Sequence, residues 1–460
     1  MIKIFNHWIR PSTIISIIAD FAFILLGMVI AVMWIGSGLP VEGKIVIVFA
    51  LLLALTMLGI NGLLGFYQRI HTQTFFQTRA RAVLSLHLSI PVAYFLYLLL
   101  PLSSVNKQFL ELSVMGAVFG MLTNRLRAYH SPPSQILMSR VLIFGCGEKA
   151  KEVAQIITAS DRNVEIVGFF PGPTAEESCV PAGEIVDTYP SVVDAARALN
   201  INEIIVAVLE RRGGVMPLRD LLDCKIYGIR VLDLATHFEQ FLGQIRLDSL
   251  KASYLIFGDG FRQTFLRSLI KRIFDIVCSI ILLVLAAPIM LLTTIAIVVE
   301  SGFPIFYRQE RVGLNNKTFN VIKFRSMRND AEKDGKPRWA TSGDSRVTRV
   351  GKIIRKLRID ELPQLFSVLR GHMGLVGPRP ERPFFVQQLT QQIPFYAVRH
   401  SVKPGVTGWA QVRFHYGASI EDSAQKLQYD LYYVKNHTLF LDLIILFETI
   451  GVVLGGKGAQ

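Results

Sequence analysis

Lys271-Arg272-Ile273-Phe274-Asp275 leads into the apolar stretch Ile276–Val299, with Ala287-Pro288 at its middle. How this stretch meets a bilayer decides the fold of everything after it. It is apolar enough to cross, since a spanning helix needs about 20 such residues. Yet the chain beyond it is rich in Lys and Arg, and such segments stay on the cytoplasmic side. Proline removes a helical donor and clashes with the preceding turn, so Pro288 can bend a helix sharply. The reading is a re-entrant helix over about 271–300, broken at Pro288, that enters and leaves by the cytoplasmic face. Lys271 and Arg272 would then sit at the lipid headgroups. An ordinary fifth span with a proline kink is the alternative.

Four apolar stretches precede it, at Thr13–Trp34, Lys44–Phe66, Ala82–Leu100 and Phe109–Leu122. The first two have the length of a span. The first is too long for a cleavable signal and is followed by more apolar stretches. Cations at Lys3, Arg10, Arg69, Arg79, Arg81, Arg125, Arg127 and Arg140 alternate with nearly cation-free loops at 36–43 and 101–108. Residues 1–128 therefore form a four-helix transmembrane region with the N-terminus and all that follows Arg125 in the cytoplasm.

The chain has 460 residues, 51% of them apolar, and a formal net charge of +14. Several domains are expected. The cations lie beside apolar segments and acid pairs rather than in a nucleic-acid module, so lipid and anionic substrates are the expected partners, and nucleic acid is not. Cys146, Cys179, Cys224 and Cys278 are scattered, with neither metal-ligand spacing nor a disulfide framework.

Residues 139–242 form a Rossmann-like α/β domain. Val141–Phe144 is a buried-strand pattern, and Gly145-Cys146-Gly147-Glu148-Lys149-Ala150 turns into a helical run. Val164–Phe170, Glu203–Val208 and Gly228–Leu232 follow as strands, which implies a parallel sheet. The turn has the pattern Gly-x-Gly-x-x-Ala, but no acidic residue ends the second strand, so a structural or regulatory role outranks dinucleotide binding. A linker over 243–265 leads to a catalytic domain at 266–460. The apolar run Leu439–Leu454 holds Asp442 and Glu448 and is placed in the membrane interface, with a buried core helix as the alternative.

Asp360-Glu361-Leu362-Pro363-Gln364 carries the chemistry. Proline fits a helix only in its first turn, so Asp360 and Glu361 stand at a helix start, where an anion is favoured. Mg²⁺ takes oxygen ligands, usually one or two carboxylates with phosphate and water. Lys323, Arg325, Arg355, Arg358 and Arg379 supply phosphate-binding cations. Gly377-Pro378-Arg379-Pro380 and Pro404-Gly405-Val406-Thr407-Gly408 are turns whose glycines let backbone N–H groups approach phosphate. The row Arg349, Lys352, Arg355 and Lys356 recurs at helical spacing, facing either headgroups, a prenyl phosphate or solvent. Tyr429-Asp430 and Tyr432-Tyr433 pack or anchor at the interface. The residues by themselves give a metal-phosphate site at a membrane, without showing a covalent step.

Residues from Leu266 to Gln460 resemble the bacterial sugar transferases, the monotopic polyprenyl-phosphate phosphoglycosyl transferases. The resemblance rests on ordered motifs: Lys271-Arg272-x-Phe274-Asp275, Phe306-Tyr307-Arg308-Gln309-x-Arg311-x-Gly313, Lys323–Met327, Asp360–Gln364, Gly377–Pro380 and Pro404–Gly408. The layout resembles the long members that initiate exopolysaccharide synthesis, and the tail from Gly417-Ala418-Ser419 through Lys457-Gly458 resembles a subgroup accompanying PEP-CTERM sorting. The resemblance implies that Asp360 attacks the β-phosphate of a UDP-sugar, releasing UMP, and that undecaprenyl phosphate then takes the phosphosugar. It implies Mg²⁺ on Glu361 and Asp360, phosphate binding by Arg379, and anchoring of the re-entrant helix by Lys271, Arg272, Asp275 and Pro288. Ala287 departs from the Ser-Pro of small members, and Ser367, His372 and Gly374 stand where Asn, Asp and Ser are usual. A membrane scaffold with a degenerate enzyme domain and a nucleotide-sugar oxidoreductase are the competing classes; the intact Asp360, Glu361 and Arg379 disfavour the first and the weak glycine turn the second. A homodimer is left open.

Overall fold

The computed structural model describes residues 2–9, 11–35, 43–64, 66–67, 75–99, 107–130, 138–160, 164–172, 178–208, 216–248, 250, 254–255, 260–261, 264–328, 346–414 and 419–454. It forms two compact units, one of Ile9–Phe238 and the other of Ile2–Trp8 with Glu239–Gln460. The tail at Lys457-Gly458, Gly417-Ala418 and the side chains of Arg10, Arg69, Arg79, Arg81, Arg125 and Arg127 lie outside the described residues.

In chain order, β1 (Ile2–Ile4) and β2 (His7–Ile9) form a short two-stranded sheet ahead of the first unit's helices. The helices are α1 (Pro11–Ile35), α2 (Gly43–Leu63), α3 (Phe75–Leu99) and α4 (Lys107–His130). Pro11 opens α1 at the one helical position where a missing N–H is harmless. Pro11–Trp34 and Lys44–Leu63 are long and apolar enough to cross a membrane. Helices α1 and α4 touch backbone to backbone: a Cβ on Gly27 would lie 2.7 Å from Ala117 N, and one on Gly120 2.6 Å from Phe23 Cβ. Small residues allow the close approach on which helix association in lipid depends. Asp20, wholly buried, accepts hydrogen bonds from Asn124 Nδ2 and the Tyr67 hydroxyl, each at 2.6 Å. An unpaired carboxylate there would be costly, and these two donors answer it.

The same unit holds a four-stranded parallel sheet of β3 (Ser139–Phe144), β4 (Val164–Phe170), β5 (Glu203–Val206) and β6 (Arg230–Asp233), in the order β4-β3-β5-β6. Helices α5 (Glu148–Ser160), α6 (Val192–Ala198) and α7 (Leu218–Ile226) connect the strands, as parallel pairing requires. The chain leaves the sheet on both sides of β3, whose end carries Gly145 at φ +121°, a conformation glycine adopts without strain. Helix α8 (Leu234–Leu242) carries the chain from the first unit into the second.

The second unit begins earlier than the expected linker. Ile245 is fully buried in its core, and Trp409 Nε1 donates to Gly243 O at 2.7 Å, so residues read as linker from 243 are core backbone. The long helix α9 (Phe265–Ser301) follows, then the antiparallel hairpin β7 (Phe306–Val312) and β8 (Thr318–Phe324). Next come α10 (Arg349–Lys356), a 3₁₀ turn Ile359–Glu361, α11 (Gln364–Leu369), β9 (Gly374–Val376), α12 (Pro383–Gln392), the 3₁₀ segment Tyr396–Ser401, β10 (Gly405–Thr407), α13 (Trp409–Arg413), α14 (Ile420–Asn436) and α15 (Leu439–Leu454). Strands β9 and β10 pair in parallel. Ser419 and Asp422 form a reciprocal capping box on α14. That helix buries Leu427, Leu431, Tyr432, Tyr433 and Val434 in the unit's core, which settles the tyrosine pair as packing residues. His7 accepts or donates at 2.8 Å to the Tyr432 hydroxyl and lies edge-on to Trp409, so the N-terminal hairpin closes this core. Helix α15 buries Leu441, Asp442 and Ile445 in the core, as the core-helix alternative expects, while Leu443, Phe447 and Ile450 face outward. Its two faces meet different surroundings because only one packs on α13, β9 and β10.

Pro288 does not divide α9, which runs unbroken over 37 residues. The proline removes one donor, and the turns on either side carry the helix through. Asp275, Ser279, Thr293 and Ile297 are buried, and Leu283 and Met290 between them pack on the unit's core residues. These six recur at spacings of three, four or seven residues, the signature of one helix face. The opposite face exposes Val284, Leu285, Leu291, Leu292 and Val299.

Both ends are fixed to the unit. Arg272 donates to Val368 O and Leu369 O at 2.6 and 2.7 Å, satisfying the last carbonyls of α11. Lys271 Nζ pairs with Asp442 Oδ2 at 2.7 Å, and Asp275 Oδ1 accepts from Leu375 N at 3.3 Å. At the far end the Glu300 carboxylate accepts from Arg349 N and Val350 N at 2.7 and 3.0 Å, capping α10. Lys271 and Arg272 thus serve internal contacts rather than headgroups, because unpaired acceptors inside the unit lie within their reach. Trp409→Ala would empty a fully buried site between His7, Gly243 and Tyr432. It is expected to cost about 3–5 kcal/mol, read as a lower chemical-denaturation midpoint of the detergent-solubilised protein.

Candidate active site

The acid pair sits in the 3₁₀ turn Ile359–Glu361 rather than in the first turn of an α-helix, and α11 starts only at Gln364. Arg358, in the left-handed region at φ 57°, ends the preceding turn and swings both acids inward. Asp360 and Glu361 are both buried, at 9% and 7% exposure. Their surroundings differ. Glu361 Oε1 meets Arg379 Nη2 at 2.7 Å, Lys323 Nζ at 3.3 Å and Arg358 Nη1 at 3.7 Å. Asp360 makes no hydrogen bond or ion pair among the described residues.

The electrostatics follow the geometry. Burial alone would raise the Glu361 carboxyl, but Arg379, Lys323 and Arg358 hold it far below the ordinary range. Burial and the adjacent Glu361 charge push the Asp360 carboxyl up to about 6, against the pull of the same three cations. Burial also lowers the Lys323 ammonium, with Glu361 opposing. Three cations therefore face two carboxylates in a half-dry site, leaving net positive charge for a phosphorylated ligand.

Each cation arrives from a different element. Lys323 comes from β8, Arg358 from the end of α10, and Arg379 from the turn after β9. The sequence brings Lys323, Arg358 and Arg379 to the acid pair as expected. It does not bring Arg325, whose Nη2 donates to Ser301 O, Ser301 Oγ and Gly302 O at 2.9, 2.7 and 2.7 Å. That guanidinium closes the open end of α9, a need invisible without the fold. Arg355 lies half-buried in the last turn of α10, and its side chain makes no hydrogen bond or ion pair among the described residues.

The glycine turns also act differently from the sequence reading. A Cβ on Gly377 would lie 2.3 Å from Lys403 O, one on Gly405 2.1 Å from Gly377 N, and one on Gly408 2.2 Å from Gly377 O. Gly377 N donates to Thr407 O at 2.9 Å and Gly405 N to Pro378 O at 3.0 Å. These glycines let the two turns meet each other, and that contact places Arg379. Arg311, quoted in a motif but given no role, donates to Pro380 O at 3.0 Å and braces the same turn from β7.

The family model for bacterial sugar transferases matches residues 266–456, which span all of these elements. A sugar transferase of Bacillus subtilis, EpsL, is 41% identical over 196 residues, 42% of this chain and 91% of that protein. The chain belongs to the bacterial sugar transferase family. The UDP-N-acetylgalactosamine-undecaprenyl-phosphate N-acetylgalactosaminephosphotransferase of Aeromonas hydrophila is 44% identical over 242 residues, 53% of this chain and 56% of that one. The undecaprenyl-phosphate glucose phosphotransferase of Komagataeibacter xylinus is 35% identical over 340 residues, 70% of this chain and 60% of that one. The chain thus aligns with little more than half the length of these two relatives. Within the sugar transferase region, Gly405→Ala is expected to force the turns apart. The overpacking is expected to cost about 1–3 kcal/mol, read in a denaturation titration of the detergent-solubilised protein.

Proposed function

We propose that this protein transfers a sugar 1-phosphate from a UDP-sugar to undecaprenyl phosphate at the cytoplasmic face of the inner membrane, starting an exopolysaccharide unit. The observation that carries the reading is the unequal acid pair, one carboxylate clamped by three cations and its neighbour with no hydrogen bond or ion pair among the described residues. The names of the relatives supply the acceptor and the class of donor.

The roles follow from that inequality. Asp360 is the nucleophile: its Oδ attacks the β-phosphorus, the bond to the α,β-bridging oxygen breaks, and UMP leaves with the electron pair. A phosphate oxygen of undecaprenyl phosphate then attacks the same phosphorus and returns the Asp360 carboxylate. Arg379, Lys323 and Arg358 hold the phosphate oxygens as charge shifts onto them. Glu361, already ionised, orients those cations. No cluster of three or more His, Cys, Asp or Glu that could hold a metal occurs among the described residues. The site fits Mg²⁺ all the same, since that ion needs only one or two carboxylates beside substrate phosphates, and Asp360 and Glu361 would hold it. Bound there, it would neutralise the diphosphate and stabilise the departing UMP.

Helix α9 supports a membrane mode in which the chain enters and leaves by one face. A crossing helix would carry its two ends to opposite faces of the bilayer. Here both ends are tied to the same unit, with Asp275 and Ser279 buried at one and Thr293 and Ile297 at the other, and the apolar stretch between them is largely exposed.

Purified protein with undecaprenyl phosphate, Mg²⁺ and a panel of UDP-sugars is expected to release UMP with one donor preferred, and a burst equal to the enzyme present when the acceptor is omitted. Asp360→Asn should reduce release by more than about 10³-fold. It should also raise the thermal midpoint at pH 7.5. An acid whose folded pKa is raised loses stability as pH climbs from its unfolded value near 4 towards 6, and the neutral amide escapes that loss. Release undiminished in Asp360→Asn would overturn the assigned nucleophile. For the wild type, kcat/KM for the UDP-sugar should fall as pH drops, about tenfold per unit once below the Asp360 pKa, because the nucleophile must be ionised; bound Mg²⁺ would move that limit below 6.

A further inference from the structure

Arg379 is held at Glu361 by its side chain, but its backbone is held by something else. Arg399 is buried in the 3₁₀ segment Tyr396–Ser401, with 5% of its surface exposed. Its guanidinium Nη2 donates to Arg379 O at 2.9 Å. The same group meets Asp430 Oδ2 on α14 through Nε at 2.9 Å and Nη2 at 2.7 Å, and donates to the Tyr396 hydroxyl through Nη1 at 3.0 Å. Asp430 is 2% exposed.

We infer that the buried Arg399–Asp430 pair is a positioning device that fixes the Arg379 backbone, and through it the point from which the Arg379 guanidinium reaches Glu361 and the substrate phosphate. The inference rests on the transferase reading above and concerns the same site.

A purely structural role explains the pair poorly. Buried ion pairs are often no more stabilising than apolar residues of similar volume, since desolvation offsets the attraction. What an apolar pair could not supply is a donor for the Arg379 carbonyl. Arginine is suited to this, because its planar fork engages a carboxylate, a hydroxyl and a carbonyl at once in fixed directions. A lysine ammonium lacks that geometry. The neighbouring carbonyl, Pro380 O, is held by Arg311 from β7, and Gly377 by Thr407 on the other side. Arg379 therefore lies between two fixed residues, and Arg399 supplies the remaining anchor. Asp430 in turn keeps Arg399 from turning away. Displacement of a phosphate-binding group by about 1 Å can cost up to about a hundredfold in rate, so an anchor at the backbone matters even though Arg399 touches no substrate.

The test replaces the pair by apolar residues of similar size, Arg399→Met with Asp430→Leu, in the full-length detergent-solubilised enzyme. The thermal midpoint is expected to stay within a few degrees of the wild type, while kcat/KM for the UDP-sugar falls about 10- to 100-fold. In an Arg379→Ala background the same replacement should change kcat/KM by less than about twofold, because the pair acts through Arg379. Arg399→Lys serves the same two comparisons if the apolar double variant does not fold. Full activity with an intact fold would overturn the inference, as would an equal loss in the Arg379→Ala background. Wild-type enzyme that releases no UMP from any UDP-sugar would instead overturn the transferase reading, so the two failures are distinguishable.

Discussion

The Glu361 carboxylate is the contact on which the site depends. A single oxygen gathers cations from β8, from the end of α10 and from the turn after β9. The buried Glu361 carboxylate would not be tolerated ionised alone, and the ion pairs make the cluster possible. The same arrangement separates the two acids. Glu361 is held ionised by its partners, and Asp360, one residue away, bears the desolvation and the like charge. Two adjacent carboxylates thereby acquire different proton affinities.

Helix α9 imposes the second constraint. Its apolar outer face demands lipid, while its inner face offers Asp275 and buried small and apolar residues to the catalytic unit. The polar groups near its ends close other helices: Arg272 takes the last carbonyls of α11 and Glu300 takes the first amides of α10. Helix α10 leads directly into the turn that holds the acid pair, and α11 leads directly out of it. The membrane segment and the catalytic turn are thus built on shared caps, so a change in how α9 is seated would be felt at Asp360.

Much of this was legible in the sequence. The apolar runs gave α1, α2 and α9, and alternating patterns gave the parallel sheet, because burial imposes a period that side chains cannot hide. The acid pair with Lys323, Arg358 and Arg379 was found because few chemistries bring carboxylates and arginines together. The errors have one cause. Arg325 reads like a phosphate ligand and Lys271 and Arg272 like headgroup anchors, since charge is visible in sequence and its partner is not. The turn glycines look like phosphate cradles for the same reason, although their missing Cβ atoms are needed for Gly377, Gly405 and Gly408 to meet.

The sequence by itself determined the membrane-bound character, the family and the acid pair, because hydropathy, spacing and residue type are local properties. The tertiary structure decided which cations reach Glu361, that Asp360 has no hydrogen bond or ion pair among the described residues, and that residues 2–8 and 243–247 belong with the second unit's core. Those outcomes depend on contacts between segments tens to hundreds of positions apart, such as His7 with Tyr432 and Arg399 with Arg379. No local pattern records such pairings; they exist only once packing has brought the surfaces together.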